Sequence, residues 1–373
     1  MKKILKTIAV TVAAAALFSL ASCTSTSWSV KYSLSGECGV TAADAERYRA
    51  ANTVSGSDLS PTDISDEEIT LPGGLYSAFL LRTFTVLMNS GELNSNLPVS
   101  AQTVGEKSAS QYIDEEADKL LKQFIVMSRR LACLGFTFDR TEASNYSTVV
   151  EEYTKNTAKY EKWGVGLESM LIAFVDYSIM DDALFEATHG EKGYAPISDE
   201  EILSDYFTAG YVRQYFMDTN YYPLSDEEIA YAMGDIQATF DQLTAGTLDF
   251  AAVVEDYNSY AMLMRQGQEE TYIKISDMDE NMKLVYESEV GAYTLVKGET
   301  PEGVGYMAIY RRLALDPAAP DSSFPGARDD LLFSYQHQAF LDELAAFADT
   351  LTDVVYNPAV FDTFTTAKLG IGD

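Results

Sequence analysis

The sequence predicts a mixed α+β fold that is mostly helical. Stretches with apolar residues at helical spacing, the clearest from Ile113 to Leu134, occupy the first half and the end of the chain. Between them, Tyr211 to Met217 has the aromatic and β-branched content of a strand, and Glu289 to Val296 and Gly303 to Tyr310 resemble a second pair of strands. At 47% hydrophobic and 12% aromatic residues, the chain has ample material for a core.

The first residues predict export and a lipid anchor. Three lysines precede an apolar run from Ile8 to Leu20, which is shorter than the roughly 20 residues of a membrane span but typical of a secretory signal. The run ends in Leu20-Ala-Ser-Cys23, which resembles the lipobox of bacterial lipoproteins, where the cysteine becomes the lipidated N-terminus. We expect a signal peptide at 1–22 and a weakly ordered tether at 23–60. The alternative is an ordinary signal peptide with an incidental cysteine.

The charge of the chain excludes one class of partner. A formal net charge of −31 at pH 7 argues against nucleic acid, because phosphate binding needs clustered Lys and Arg. It also disfavours adsorption to anionic lipid, so a lipid on Cys23 is the expected contact with the membrane. The acidity is interpreted as a solvated, repulsive surface rather than a cation site. Cys38 and Cys133 remain, and the sequence leaves open whether they form a disulfide or stay free thiols.

Residues 240–258 indicate what kind of domain lies in the middle of the chain. They predict a helix that ends near Leu243, a break at Gly246 and a second helix that begins at Asp249. This pattern, with a strand before it and two strands after it, resembles parvulin-type peptidyl-prolyl isomerase domains. The resemblance implies a small α/β domain at 210–315 with a four-stranded sheet.

The residues at the family's catalytic positions differ from the family pattern. Parvulins carry a histidine in the first strand and another in the last, and the matching positions here hold Gln214 and Met307. The two histidines of the chain, His189 and His337, lie outside this segment. The family's glycine-rich turn corresponds to Gly267 to Ile273, which keeps one glycine. We therefore expect no catalytic residues in this domain.

The same resemblance places a possible apolar peptide pocket. The corresponding segment contains Met278, Met282 and Tyr286, which are either a surface for an apolar side chain or plain core.

The rest of the chain resembles the helical domain of SurA- and PrsA-type extracytoplasmic foldases. The sequence segment from Leu131 to Glu142 is similar to a segment common in those N-terminal domains. A final helix at about Ala327 to Leu351 follows a linker that contains several Pro residues and a Gly. The resemblance implies a discontinuous helical domain formed by 61–209 and completed by 325–373. Further helices are expected at these ranges: Tyr76 to Met88, Glu142 to Lys162, Gly166 to Thr188 and Asp199 to Ala209.

The motif Ser-Asp-Glu-Glu-Ile occurs at Ser65, Ser198 and Ser225. In the last two copies the serine is expected to cap a helix while the second glutamate reaches back to it. A calcium loop would need oxygen ligands at alternating positions and a turning glycine, which the motif lacks.

These features together predict a membrane-anchored, extracytoplasmic chaperone or foldase that binds unfolded secreted polypeptides. Its parvulin domain is expected to be inactive, and no cofactor or metal is implied. An active peptidyl-prolyl isomerase with a rearranged site is the alternative. A solute-binding lipoprotein of a transporter is a third hypothesis, which the separation of helices from strands disfavours.

Overall fold

A computed structural model describes residues 28–52, 66, 68–218, 222–259, 263–300, 303–318 and 323–372. The fold is mixed α+β and mostly helical, with small antiparallel sheets. The described residues form two compact units, one with residues up to 196 and from 336 onward, and one with residues 197–335. The predicted signal peptide, Cys23 and the first serine motif at Ser65 lie outside the described residues.

The first unit is built on helices and a three-stranded sheet. Its strands and helices are β1 (Trp28–Ser33), α1 (Ala42–Ala51), β2 (Glu68–Pro72), α2 (Gly73–Asn89), β3 (Thr103–Val104), β4 (Lys107–Ser108), α3 (Ala109–Leu134), α4 (Tyr146–Lys155), α5 (Thr157–Lys162), α6 (Leu167–Leu171), α7 (Tyr177–His189), β9 (Val355–Tyr356), α13 (Pro358–Thr363) and α14 (Thr366–Leu369). A π-helical turn, Ile172–Asp176, joins α6 to α7 without a break.

The second unit contains a four-stranded antiparallel sheet. Its elements are α8 (Asp199–Leu203), β5 (Tyr206–Asp218), α9 (Asp226–Thr244), α10 (Phe250–Ser259), β6 (Leu263–Lys274), α11 (Glu280–Glu287), β7 (Tyr293–Glu299) and β8 (Gly305–Arg312). Helix α12 (Phe324–Ala348) contributes residues up to Tyr335 to this unit and residues from Gln336 to the first unit.

Strand β1 corrects the prediction of a weakly ordered segment at 23–60 for its described part. β1 is the middle strand of the order β2-β1-β9, so Val30 pairs with Leu71 on one side and with Tyr356 on the other. Val30 and Tyr32 point into the core and are 0% and 4% exposed. Backbone pairing on both sides, together with alternate burial, makes this segment a strand despite its polar surroundings.

Helix α3 crosses the first unit and lies beside the C-terminal segment. Ser108 caps its first turn and Gly135 ends it with φ 76°, as the sequence predicted for the glycine. Its Arg129 pairs with Asp353, and its neighbour Arg130 pairs with Glu343 of α12. Apolar burial and these ion pairs therefore hold the C-terminal segment against α3.

Several predicted boundaries are wrong. Helix α2 begins at Gly73, before the predicted start at Tyr76. In its first turn Gly74 lies close to the carbonyl oxygen of Gly164, where a Cβ would collide. The helix expected over Glu142 to Lys162 is interrupted at Asn156, between α4 and α5. The final helix ends at Ala348, before Leu351.

Two further corrections concern the sheet of the second unit. The helix expected to reach Ala209 ends at Leu203, and residues from Tyr206 onward extend β5, where Ala209 pairs with Thr271. The segment from Gly267 to Ile273, expected as a turn, lies inside β6. The long pairing between β5 and β6 outweighs the local preferences of both segments.

The sheet order β6-β5-β8-β7 has helices on both of its faces. One face packs on α9 and α10 through a cluster that includes Val212, Ile236, Val254 and Ile309. The other face packs on Val285 of α11. The capping box predicted at Ser225 is present at the start of α9.

Candidate functional site

Gln214 and Met307 lie opposite each other on the two central strands. The register of β5 and β8 pairs them directly. Side chains alternate between the faces of a strand, so both lie on the face that α9 and α10 cover, where Met307 joins the apolar cluster. Their exposed fractions are 1% and 6%. A peptide on the protein surface therefore has no direct access to either side chain.

The amide of Gln214 is held by a polar network under α9. Its Nε2 donates to the carbonyl of Tyr215 at 2.8 Å, and its Oε1 accepts from Nε of Arg265 at 2.6 Å. Arg265 also pairs with Asp235 of α9, and its guanidinium lies 4.8 Å from the centroid of the Tyr257 ring. This network links β5, β6, α9 and α10.

The Tyr257 hydroxyl beside this network is a poor proton donor near neutral pH. Burial raises the pKa of Tyr257 to about 12, although the charge of Arg265 opposes the shift. The side chains of Gln214 and Met307 do not titrate. The arrangement supports a structural role in which a glutamine and an arginine tie the sheet to its helices.

The predicted pocket residues lie on the opposite face of the sheet. Met278 and Met282 are partly buried against the α11 side, and the ring of Tyr286 lies 5.4 Å from that of Phe207. Tyr286 is 40% exposed. The structure therefore separates these three residues from Gln214 and Met307, and it does not form one cleft from the two predicted sets.

That opposite face contains a group of residues that the sequence reasoning missed. We call it the arginine–tyrosine face, defined as Arg213 with Tyr211, Tyr215, Tyr306 and Tyr310. The Arg213 guanidinium lies 4.6 Å from the centroid of the Tyr306 ring and 5.2 Å from that of Tyr211. It donates to the hydroxyl of Tyr310 at 2.6 Å and to that of Tyr215 at 3.1 Å.

The absence of a side chain at Gly298 leaves space for the Tyr306 ring. Gly298 pairs with Tyr306 across β7 and β8. A Cβ on Gly298 would lie 2.7 Å from the hydroxyl oxygen of Tyr306, so any side chain there would displace the ring. The alternation Tyr-x-Arg-x-Tyr in β5 and Tyr-x-x-x-Tyr in β8 is the signal that could have located this face.

Three tyrosines of this face, Tyr211, Tyr306 and Tyr310, stay neutral at physiological pH. Burial raises the pKa of Tyr310, with Arg213 opposing the shift, and burial also raises the pKa values of Tyr211 and Tyr306. They therefore do not compensate the charge of Arg213.

The histidines and cysteines of the described residues belong to the first unit. Nε2 of His337 lies 2.9 Å from Oδ1 of Asp181, and Nδ1 of His189 lies 3.2 Å from a backbone oxygen. Cys38 and Cys133 form a disulfide, one of the two outcomes that the sequence left open.

The described ranges contain neither a candidate metal site nor a candidate membrane-spanning helix. Within those ranges no cluster of three His, Cys, Asp or Glu side chains could hold a metal ion. In the same part of the chain no helix has the length and hydropathy to cross a membrane.

Comparisons with known proteins give one structural similarity. No family model matches the chain, and no curated protein matches it. Among solved structures, the foldase protein PrsA from Lactococcus lactis aligns with a TM-score of 0.33 and 9% sequence identity, over 71% of this chain and 90% of that chain. At that TM-score the similarity does not assign a function.

Proposed function

We propose that the protein is a lipid-anchored, extracytoplasmic chaperone or foldase that binds unfolded secreted polypeptides without isomerising them. In this proposal the second unit is a parvulin-like domain without catalysis. The observation that carries the proposal is the pairing of Gln214 with Met307, because their side chains are buried and neither titrates. The four-stranded sheet keeps a scaffold for a peptide, and its central positions lack the imidazoles that the resemblance leads one to expect.

The energetics of prolyl isomerisation explain why these positions matter. The imide barrier is about 18–20 kcal/mol, and uncatalysed exchange takes tens to hundreds of seconds. Lowering this barrier needs groups that reach the twisting imide, whereas Gln214 is already engaged by Arg265 and Tyr215. Binding an unfolded chain needs only an accessible surface with apolar and polar contacts. In the arginine–tyrosine face, Arg213 and Tyr215 supply such a surface because they are partly exposed, whereas its other three tyrosines are buried.

The domain organisation is part of the proposal. A helical domain at 61–209, completed by 325–373, would hold a parvulin-like domain at 210–315. The pairing of β9 with β1 and the ion pair between Arg129 and Asp353 support the return of the C-terminal segment to the first unit. The compact second unit is longer than the proposed insert, because α8 and the first turns of α12 belong to it.

The proposed location rests on the lipobox-like Cys23 and on a second observation. The Cys38–Cys133 disulfide joins positions 95 residues apart, and such bonds persist in oxidising compartments outside the cytoplasm. Mass spectrometry of the protein isolated from bacterial membranes should find acyl chains on Cys23. Recovery of unmodified Cys23 would refute the anchor.

Two assays run on the same preparation test the activity. Suppression of aggregation of a reduced, unfolded secreted protein should rise with chaperone concentration. A proline-peptide assay should show the uncatalysed rate. Robust isomerisation would refute the absence of catalysis, and unchanged aggregation would refute the chaperone function.

An isomerase with a rearranged site is the second candidate, because the Tyr306 ring and Arg213 form a polar group on the face of the sheet opposite α9 and α10. In that case Tyr306→Phe should abolish measurable turnover, and Gln214→Ala should do so only if the buried Gln214 amide also positions the site. Turnover that is absent in the wild type, or unchanged in both variants, would rule this candidate out.

A further inference from the structure

We propose that the arginine–tyrosine face binds a carboxylate of the client polypeptide, with Arg213 as its cationic partner. The inference rests on the proposed function and specifies it: the preferred clients are segments that combine apolar residues with an acidic side chain or a free C-terminus. The two sources of the carboxylate are separated in the experiment below.

The geometry around Arg213 leaves its charge without a counter-ion. Its hydrogen-bond partners are the hydroxyls of Tyr215 and Tyr310, and three tyrosine rings lie within 5.7 Å of the guanidinium carbon. Among the described residues its guanidinium therefore donates to hydroxyls and not to a carboxylate. Its Nε is buried and has no hydrogen-bond partner there. A partly buried cation without an anion is costly, and an incoming carboxylate would remove part of that cost.

Three other buried or partly buried arginines of this acidic chain pair with carboxylates, whereas Arg82 donates to the Ala173 carbonyl and the Ser178 hydroxyl. Arg129 pairs with Asp353, Arg130 with Glu343, and Arg140 with Asp176. Carboxylates are abundant, with 57 Asp and Glu against 26 Lys and Arg, so a counter-ion from the chain itself would have been easy to supply. Arg213 instead lies among four phenol side chains, and two of their hydroxyls accept its hydrogen bonds.

The surroundings of Arg213 fit a peptide better than a small free anion. On the same face, Arg312 lies 4.5 Å from the centroid of the Phe207 ring and 5.2 Å from that of Tyr286. Met278 and Met282 lie beside this face and supply flexible apolar contacts. A peptide with apolar side chains next to a carboxylate can use both kinds of contact.

The experiment measures binding of labelled synthetic peptides to the full chain at physiological salt. There the Debye length is about 8 Å, so repulsion from the distant acidic surface is largely screened. One peptide carries two Glu residues among Leu and Ala and is blocked at both ends. A second replaces Glu by Gln. A third is the Gln peptide with a free C-terminal carboxylate.

The wild type should bind the Glu peptide at least about tenfold more tightly than the blocked Gln peptide, as expected for a charge-assisted hydrogen bond. Preference for the third peptide would identify the C-terminus as the source. Arg213→Met should remove the preference, and Arg213→Lys should retain part of it. Arg311→Met is the matched control, because Arg311 follows the alternation to the opposite face and stacks on Phe250 and Tyr293.

Three outcomes would overturn the inference. Equal affinity of the wild type for all three peptides would do so without any variant. An unchanged preference in Arg213→Met with a native circular dichroism spectrum would do so too. If the wild type binds no peptide and also fails to suppress aggregation, the proposed function fails together with the inference. Equal peptide binding with intact aggregation suppression would overturn the inference alone.

Discussion

Replacing Asp353 by alanine should destabilise the first unit far more than a typical surface substitution. Arg129 of α3 is fully buried, at 0% side-chain exposure. Its Nη1 donates to Oδ1 of Asp353 at 3.1 Å and its Nη2 to Oδ2 at 2.7 Å. Asp353→Ala leaves this guanidinium in the interior without its anion, while the carbonyl oxygens of Ser33 and Glu37 still accept from it.

The expected loss follows from that burial. Removing one partner of a buried ion pair costs about 3–5 kcal/mol, and at most the lower end applies, because the Asp353 side chain is 46% exposed and two backbone acceptors remain. For a unit of this size, about 3 kcal/mol corresponds to a drop in melting temperature of roughly 6–12 °C. Urea unfolding followed by far-UV circular dichroism measures the free energy difference.

Asp342→Ala provides the control, because it removes an ion pair between α3 and α12, the helix that precedes Asp353. Asp342 of α12 pairs with Lys119 of α3 at 2.7 Å, but its side chain is 57% exposed. Its loss should cost between about 0 and 1 kcal/mol. Losses of similar, small size in both variants would refute the view that the buried pair between Arg129 and Asp353 fixes the C-terminal segment.

Three further predictions concern stability in other parts of the chain. Burial raises the pKa of Asp176 to about 6, with the charge of Arg140 opposing the shift, so this carboxyl stabilises the fold below about pH 4 and loses that contribution as pH rises through 6. Asp176→Asn should therefore reduce the change in the free energy of unfolding between pH 4 and 7 by up to about 3 kcal/mol, and an unaltered profile would contradict this. Ser225→Ala removes the capping box of α9 and should cost about 1 kcal/mol in urea unfolding, where no loss would count against the cap. Replacing Cys38 and Cys133 by serine removes a disulfide between positions 95 residues apart and should lower the free energy of unfolding by about 2–5 kcal/mol. A reduced wild type as stable as the oxidised wild type would contradict this prediction.

The sequence predicted the features that depend on local chemistry. Ser225 with Glu228 marks a helix start in any context, and Gly135 adopts the left-handed conformation that ends α3. The break at Gly246 likewise separates α9 from α10, with φ 70°. Each of these signals depends on residues within one or two turns of each other.

Long-range pairing explains what the sequence did not reveal. Residues 206–210 follow a well-capped helix start, yet they form a strand because β6 pairs with them. The contact between Gln214 and Arg265 spans 51 residues and depends on the register of two strands. Gln214 and Met282 also lie on opposite faces of the sheet, and the resemblance to parvulins did not reveal that separation.

The most direct test of the account follows the refolding of a secreted protein whose slow phase is limited by proline isomerisation. The chaperone is added at a substoichiometric and at a stoichiometric concentration. We predict a higher refolding yield with an unchanged slow rate constant, because Gln214 and Met307 are buried and neither titrates. A slow phase that accelerates at substoichiometric concentration, or a yield that does not rise, would contradict it.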